Sequence, residues 1–145
     1  MQTGETFDNS SIIKSPEQGV RNMKEYDDLY CKIYVDTDLD IEQQKDKITS
    51  VVSGEKVLFR TIATAFGEID VNINEDFDEK KRNLESDGFI YSRYYLDIEP
   101  IEGIEQQEYI SHIGELLKSL WSSGLKSVAA CDFEEELPQK GGYGR

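Results

Sequence analysis

Residues Leu29–Asp40 read LYCKIYVDTDLD. Leu29, Cys31, Ile33 and Val35 alternate with Tyr30, Lys32 and Tyr34, the period of a half-buried strand with one apolar face. Asp36-Thr37-Asp38 ends that strand and offers an N-cap, so a helix is predicted over about Leu39–Ser53. Asp40 and Glu42 then fall in its first turn, where the helix dipole favours negative charge. Gly54 is the expected C′ residue.

Working outward, Val57–Ile62 reads as a second strand and Ala63–Gly67 as a connection. Glu68–Asn74 reads as a third strand, with Ile69, Val71 and Ile73 facing inward. Glu75–Gly88 is highly charged and lacks periodicity, so it is expected to be a surface excursion. Phe89–Glu99 is a predicted fourth strand stopped by Pro100. Between Glu105 and Ser123, Tyr109, Ile110, Ile113, Leu116, Leu117, Leu120 and Trp121 recur at helical spacing. Ser127–Cys131 is a last, small-residue strand. The predicted order is β-α-β-β-β-α-β. Its helices are too few for a doubly wound parallel sheet. The expected fold is α+β: an antiparallel or mixed sheet of about five strands with two helices on one face, an elaborated ferredoxin-like sandwich. Leu29, Cys31, Ile33, Val35, Ile69, Val71, Ile73, Ile113, Leu116, Leu117, Leu120, Val128 and Ala130 are its expected core.

The chain has 145 residues, the size of one domain. Residues 1–25 are rich in Gly, Ser, Asn and Gln and are expected to form a flexible extension. Residues 26–138 form the predicted domain, and 139–145 a Gly-rich tail. No apolar run is long enough to span a membrane, and the first residues carry no signal-peptide pattern, so a cytoplasmic setting is expected. Cys31 and Cys131 form no CxxC pair. They read as two reduced, buried thiols, with a disulfide open if their strands are neighbours.

Thirty Asp and Glu stand against sixteen Lys and Arg, a formal charge of −14. Direct binding to nucleic acid or to anionic lipid needs a basic surface and is therefore not expected. The candidates for chemistry each have a plainer reading. His112, the single histidine, is a possible general base, but no nucleophile is tied to it, and a helix-surface position explains it equally. Asp36-Thr-Asp38-Leu-Asp40 resembles half a calcium loop. It has Ile41 where such a loop needs Gly and Lys47 where it needs Glu. Asp76, Asp78 and Glu79, or Asp132 with Glu134–Glu136, could pair carboxylates for acid–base or metal work, yet both groups fall in apparent loops. No Walker A, GxGxxG or HExxH sequence occurs. The chain is not expected to be an enzyme or to hold a cofactor or metal.

Charge distribution says more. Six acids and no base lie between Glu68 and Glu79, five acids and no base between Asp97 and Glu108, and four acids between Asp132 and Glu136. Such runs keep a protein in solution, and they also steer a basic partner. The expected partner-binding acids are Asp76, Asp78, Glu79, Glu134, Glu135 and Glu136. The expected aromatic anchors are Phe77, Tyr91, Tyr94 and Tyr95.

The stretches DGFIYSRYYLDIEP (Asp87–Pro100) and WSSGLKSVAACDFEEELP (Trp121–Pro138), with KIYVDTDLD (Lys32–Asp40), resemble a family of small bacterial proteins. Its members carry a similar pattern ending in ACDFEdELP. The resemblance spans roughly Tyr26–Pro138. The family's setting beside contact-dependent growth-inhibition and other polymorphic toxins implies immunity proteins, which bind and block the toxin domain of their own strain. The implied partner is a cognate toxin domain, expected to be basic and a nuclease. The resemblance carries over no catalytic residue. The alternative is a small-molecule-binding or regulatory ferredoxin-like domain.

Overall fold

Alternation in the first strand is realised as read. β1 (Cys31–Asp36) buries Cys31, Ile33 and Val35 and leaves Lys32 and Tyr34 half-covered on its other side. The computed structural model describes residues 24–84 and 87–143. The regular elements that follow are α1 (Ile41–Val51), β2 (Glu55–Lys56), β3 (Thr61–Ala63), β4 (Gly67–Ile73), β5 (Tyr94–Pro100), α2 (Gln106–Ser122) and β6 (Lys126–Ala130). The strands form one six-stranded sheet in the order β2-β3-β4-β5-β1-β6, every neighbouring pair antiparallel. The order β4-β5-β1-β6 is that of a ferredoxin-like sheet. The β2–β3 hairpin extends it at one edge.

α1 starts two residues later than its predicted boundary because Asp40 is the better cap. The Asp40 side chain accepts the Gln43 N–H at 2.8 Å, and the Gln43 side chain accepts the Asp40 N–H at 3.0 Å. At the other end Ser53, not Gly54, takes the left-handed conformation (φ 51°). The Gly54 N–H then reaches back to the Thr49 carbonyl. α2 closes at Gly124, and Leu125 N–H returns to the Leu120 carbonyl.

Ile48 of α1 and Tyr109, Ile110, Ile113, Leu116, Leu117 and Leu120 of α2 join Ile33, Val35, Ile69, Val71, Leu96 and Ile98 in one cluster, so both helices cover the same sheet face. Three expected core positions differ. Ile73, at the end of β4, is 49% exposed. Val128 and Ala130 belong to the opposite sheet face, because the register sets Ala129 opposite Ile33 and Ser127 opposite Val35. The SVAA sequence has no alternation, so nothing in it fixes which parity faces the helices.

The stretch expected as one strand over Val57–Ile62 is a hairpin. Val57–Arg60 forms its turn, with Val57 N–H donating to the Thr61 carbonyl at 3.0 Å. Phe89 is likewise not in a strand: Gly88–Tyr91 is a 3-10 turn and β5 starts at Tyr94. Residues expected as a C-terminal tail pack against β6 over Pro138–Gly142. A Cβ on Gly142 would lie 2.8 Å from the Ser127 carbonyl oxygen. That segment shields the outer edge of the sheet. Of the expected N-terminal extension, residues 1–23 lie outside the described residues. Among the described residues no helix is long and apolar enough to cross a membrane.

Candidate functional site

The helix-free sheet face carries the charge. Register places Glu68 of β4 directly opposite Glu99 of β5, and Asp70 opposite Asp97. Four carboxyl-bearing residues thus occupy two adjacent rows. Like charges set directly across an antiparallel pair are destabilising. The two rows join two acidic runs that lie far apart in sequence. The Asp70–Asp97 row continues through Lys32 to Ala130.

Other polar groups hold this face in place. The Tyr30 hydroxyl donates to Asp97, and the Asn72 amide donates to Asp97 Oδ2 at 3.0 Å. The Thr61 hydroxyl donates to Asp70 Oδ1 at 2.6 Å. Lys32 Nζ sits 4.3 Å from the centroid of the Tyr95 ring and 4.9 Å from that of Tyr34, a cation–π arrangement. Partial burial raises the Glu99 carboxyl above its ordinary value, and the neighbouring Asp28 and Asp97 carboxylates raise it further. Burial, then the bond to Asp97, pushes up the Tyr30 phenol.

Gly67 keeps β4 close to Glu99. A Cβ there would lie 2.2 Å from the Glu99 carbonyl oxygen. Before it, the Thr64 hydroxyl accepts the Gly67 N–H at 2.9 Å and shapes the β3–β4 turn.

The β2–β3 turn lies at the edge of the sheet, tied to α1 through Lys45. It exposes Val57 by 47%, Leu58 by 71% and Phe59 by 76%, three consecutive large apolar side chains in water. Lys45 Nζ, buried on α1, pins the turn by donating to the Phe59 carbonyl at 2.6 Å. Reading Val57–Ile62 as one strand hid this tip. The useful sign was three apolar residues followed by Arg60 without alternation.

The residues nominated from sequence fall into four separate places. Asp76, Phe77, Asp78, Glu79 and Tyr91 come together at the end of the sheet. There Asp78 N–H donates to the Tyr91 carbonyl at 3.3 Å. Asp78 accepts the Lys80 and Lys81 N–H groups at 2.9 Å, and these bonds, Lys81 first, hold its carboxyl below its ordinary value. Glu79 faces Arg82 at 3.4 Å. Phe77 lies between the guanidinium groups of Arg82 and Arg93, at 5.1 and 4.6 Å.

Tyr94 is corrected as an anchor. It is 4% exposed on the core side of β5, and its hydroxyl donates to the Leu39 carbonyl at 2.7 Å. Strand parity puts it back to back with Tyr95, which does lie on the open face. Glu134, Glu135 and Glu136 line a groove at the far edge with Lys24, Tyr26, Cys131 and Asp132. Glu134 accepts the Cys131 N–H at 3.1 Å, and Glu136 accepts the Tyr26 hydroxyl.

The remaining candidates have local employment. Asp36 and Asp38 both hold Arg82, at 2.9 and 3.2 Å, while Asp40 caps α1, so the calcium-like triplet is divided between an ion pair and a helix end. His112 stacks on Phe66 with centroids 4.9 Å apart. Among the described residues no group of three or more His, Cys, Asp or Glu is placed to hold a metal ion. An open recess of about 340 Å³ lies between Trp121, Leu125, Val128 and Gly142, where the Trp121 indole donates to the Ser127 carbonyl at 3.0 Å. Comparison with protein-family models, with curated proteins and with solved structures finds no match.

Proposed function

We propose that the chain is an immunity protein that binds and blocks a basic toxin domain, using its open sheet face for docking. The observation that carries this reading is the pair of like-charged cross-strand rows, Glu68–Glu99 and Asp70–Asp97. A sheet built only for stability would place opposite charges there. A basic partner adds to the counter-charge that Lys32 places beside Asp97. The net charge of −14 extends the attraction beyond the face and accelerates encounter.

Steering alone does not hold a complex. Affinity needs desolvated apolar or aromatic anchors near the charges. Tyr95 lies on the open face beside Lys32, and Leu58 and Phe59 are the most exposed large apolar side chains, on the hairpin tip at the sheet edge. The acids of the Asp76–Glu79 loop and of Glu134–Glu136 add to the long-range field, while their local bonds build the protein itself. The resemblance over Tyr26–Pro138 supports the same reading.

The test is to find whether a basic toxin domain is encoded beside this chain and to measure kinetic binding to it across a salt series. Glu68→Lys with Glu99→Lys should slow association and flatten its salt dependence. Phe59→Ser should chiefly speed dissociation. Association that ignores both salt and the charge reversals would reduce the acidic face to a solubility device.

A further inference from the structure

We propose that Cys31 and Cys131 are a redox couple that closes into a reversible intramolecular disulfide in the folded protein. The register carries this. β1 and β6 are antiparallel neighbours whose last pair is Lys32 opposite Ala130, and extending that register by one residue beyond the end of β6 brings Cys131 to the level of Cys31. Directly opposed residues on such strands have Cα atoms about 4.5–5.5 Å apart, inside the range of about 4.4–6.8 Å that a disulfide spans. Both side chains lie on the helix side of the sheet, in or against the core cluster. Cys131 is also the first influence, ahead of burial, that raises the Cys31 thiol above its ordinary value. Both are free cysteines in this structure.

Their unequal exposure sets the order of events. Cys31 is fully buried and cannot meet a dissolved oxidant, whereas Cys131 is partly exposed beside the groove lined by Tyr26 and Glu134–Glu136. The oxidant is a small-molecule disulfide, such as oxidised glutathione. The Cys131 thiolate attacks one of its sulfurs, and one small thiol leaves. The Cys31 thiolate then attacks Cys131 Sγ, and the second small thiol leaves. Two cysteine thiols are oxidised, one small disulfide is reduced to two thiols, and the two cysteine protons pass to those thiols.

The bond closes a loop between positions 100 apart. It also anchors the segment after β6, where Glu134 N–H donates back to the Cys131 carbonyl at 3.2 Å. Small thiols reopen it. This couple stands independently of the toxin-binding reading, since it needs no partner.

The experiment exposes the folded full-length chain to oxidised glutathione, quenches with an alkylating agent and reads the intact mass. The wild type should become a monomer lacking two hydrogens, with neither cysteine alkylated, and its melting temperature should rise by about 5–10 °C. Dithiothreitol should reverse both changes. Cys31→Ala should stop at one glutathione on Cys131. Cys131→Ala should keep Cys31 unreacted while folded. Wild-type thiols that stay free, that pair only between chains, or that pair only in denaturant would overturn the proposal. So would a Cys31 that reacts in folded Cys131→Ala as fast as Cys131 does in the wild type. If either variant fails to fold, the wild-type mass and melt decide alone.

Discussion

Two acidic regions of this molecule use the same residue types in opposite ways. At the end of the sheet, Asp36, Asp38 and Glu79 surround one buried cation, Arg82. On the open face, Glu68 and Glu99 confront each other, and Asp70 confronts Asp97. The first region spends its carboxylates on folding: Arg82 ties the excursion after β4 to the end of β1. Hydrogen bonding to Asp36, more than any other influence, raises the Arg82 guanidinium above its ordinary value. The second sets carboxylates opposite one another, with Lys32 opposite Asp97 as the one base in the register of those two rows. An acidic run in a sequence therefore does not announce its role. The position of the nearest base in space does.

Removing Arg82 should break the comparison most severely. Arg82→Ala leaves Asp36 mostly buried without its cation and should cost about 3–5 kcal/mol, read by denaturant unfolding. A loss below about 1 kcal/mol would mean that the pair is no tie at all. Gly67→Ala should come next, at about 1–3 kcal/mol, because the added methyl meets the Glu99 carbonyl and not a movable side chain. It should also disturb the spacing of the acidic rows, visible as altered amide exchange in β4 and β5.

The open face should respond in the other direction. Glu99→Gln should leave the fold slightly more stable at neutral pH, by about a few tenths of a kcal/mol, since it removes a charge opposed across the strands. The sign with pH follows from its raised carboxyl. The folded state holds that proton more tightly than the unfolded chain does, so ionised Glu99 disfavours folding. The gain in Glu99→Gln should be full at neutral pH, fade as pH falls through the raised folded-state value, and be gone below the ordinary value of 4.5.

Asp78 behaves oppositely. Its carboxyl is lowered, so its contribution is present above its ordinary value of 3.8 and is lost as pH falls below it. Asp78→Asn should therefore be less stable than wild type at neutral pH, and the two should converge in acid. Thermal melts of both variants across pH 3–7, a span of about four units around those values, would check the pair of signs. Parallel behaviour of the two variants would erase the distinction between the regions.

Strong periodicity was legible. The alternation through Leu29–Val35 and the helical spacing from Tyr109 to Trp121 gave the first strand, the long helix and most of the core. Register was not. Ser127–Ala130 lacks a polar–apolar rhythm, so Val128 was assigned to the wrong face. Tyr94 and Tyr95 are chemically alike, and only parity sends one to the core and the other to the surface. The acids at 68, 70, 97 and 99 were legible as members of two runs. Their juxtaposition depends on β4–β5 pairing, a non-local fact. Val57–Ile62 reads as one continuous strand because it holds no Gly, Pro, Asn or Asp to mark the turn at Val57–Arg60.

The most direct measurement is the association rate constant between this chain and a basic toxin domain of the kind proposed as its partner, compared for wild type and Glu68→Lys with Glu99→Lys over a salt series. Steering by the open face predicts at least about a tenfold slower association for the variant at low salt, converging with wild type as salt rises, while its thermal stability is equal or higher. Equal rates at every salt concentration, in a variant that remains folded, would contradict the account.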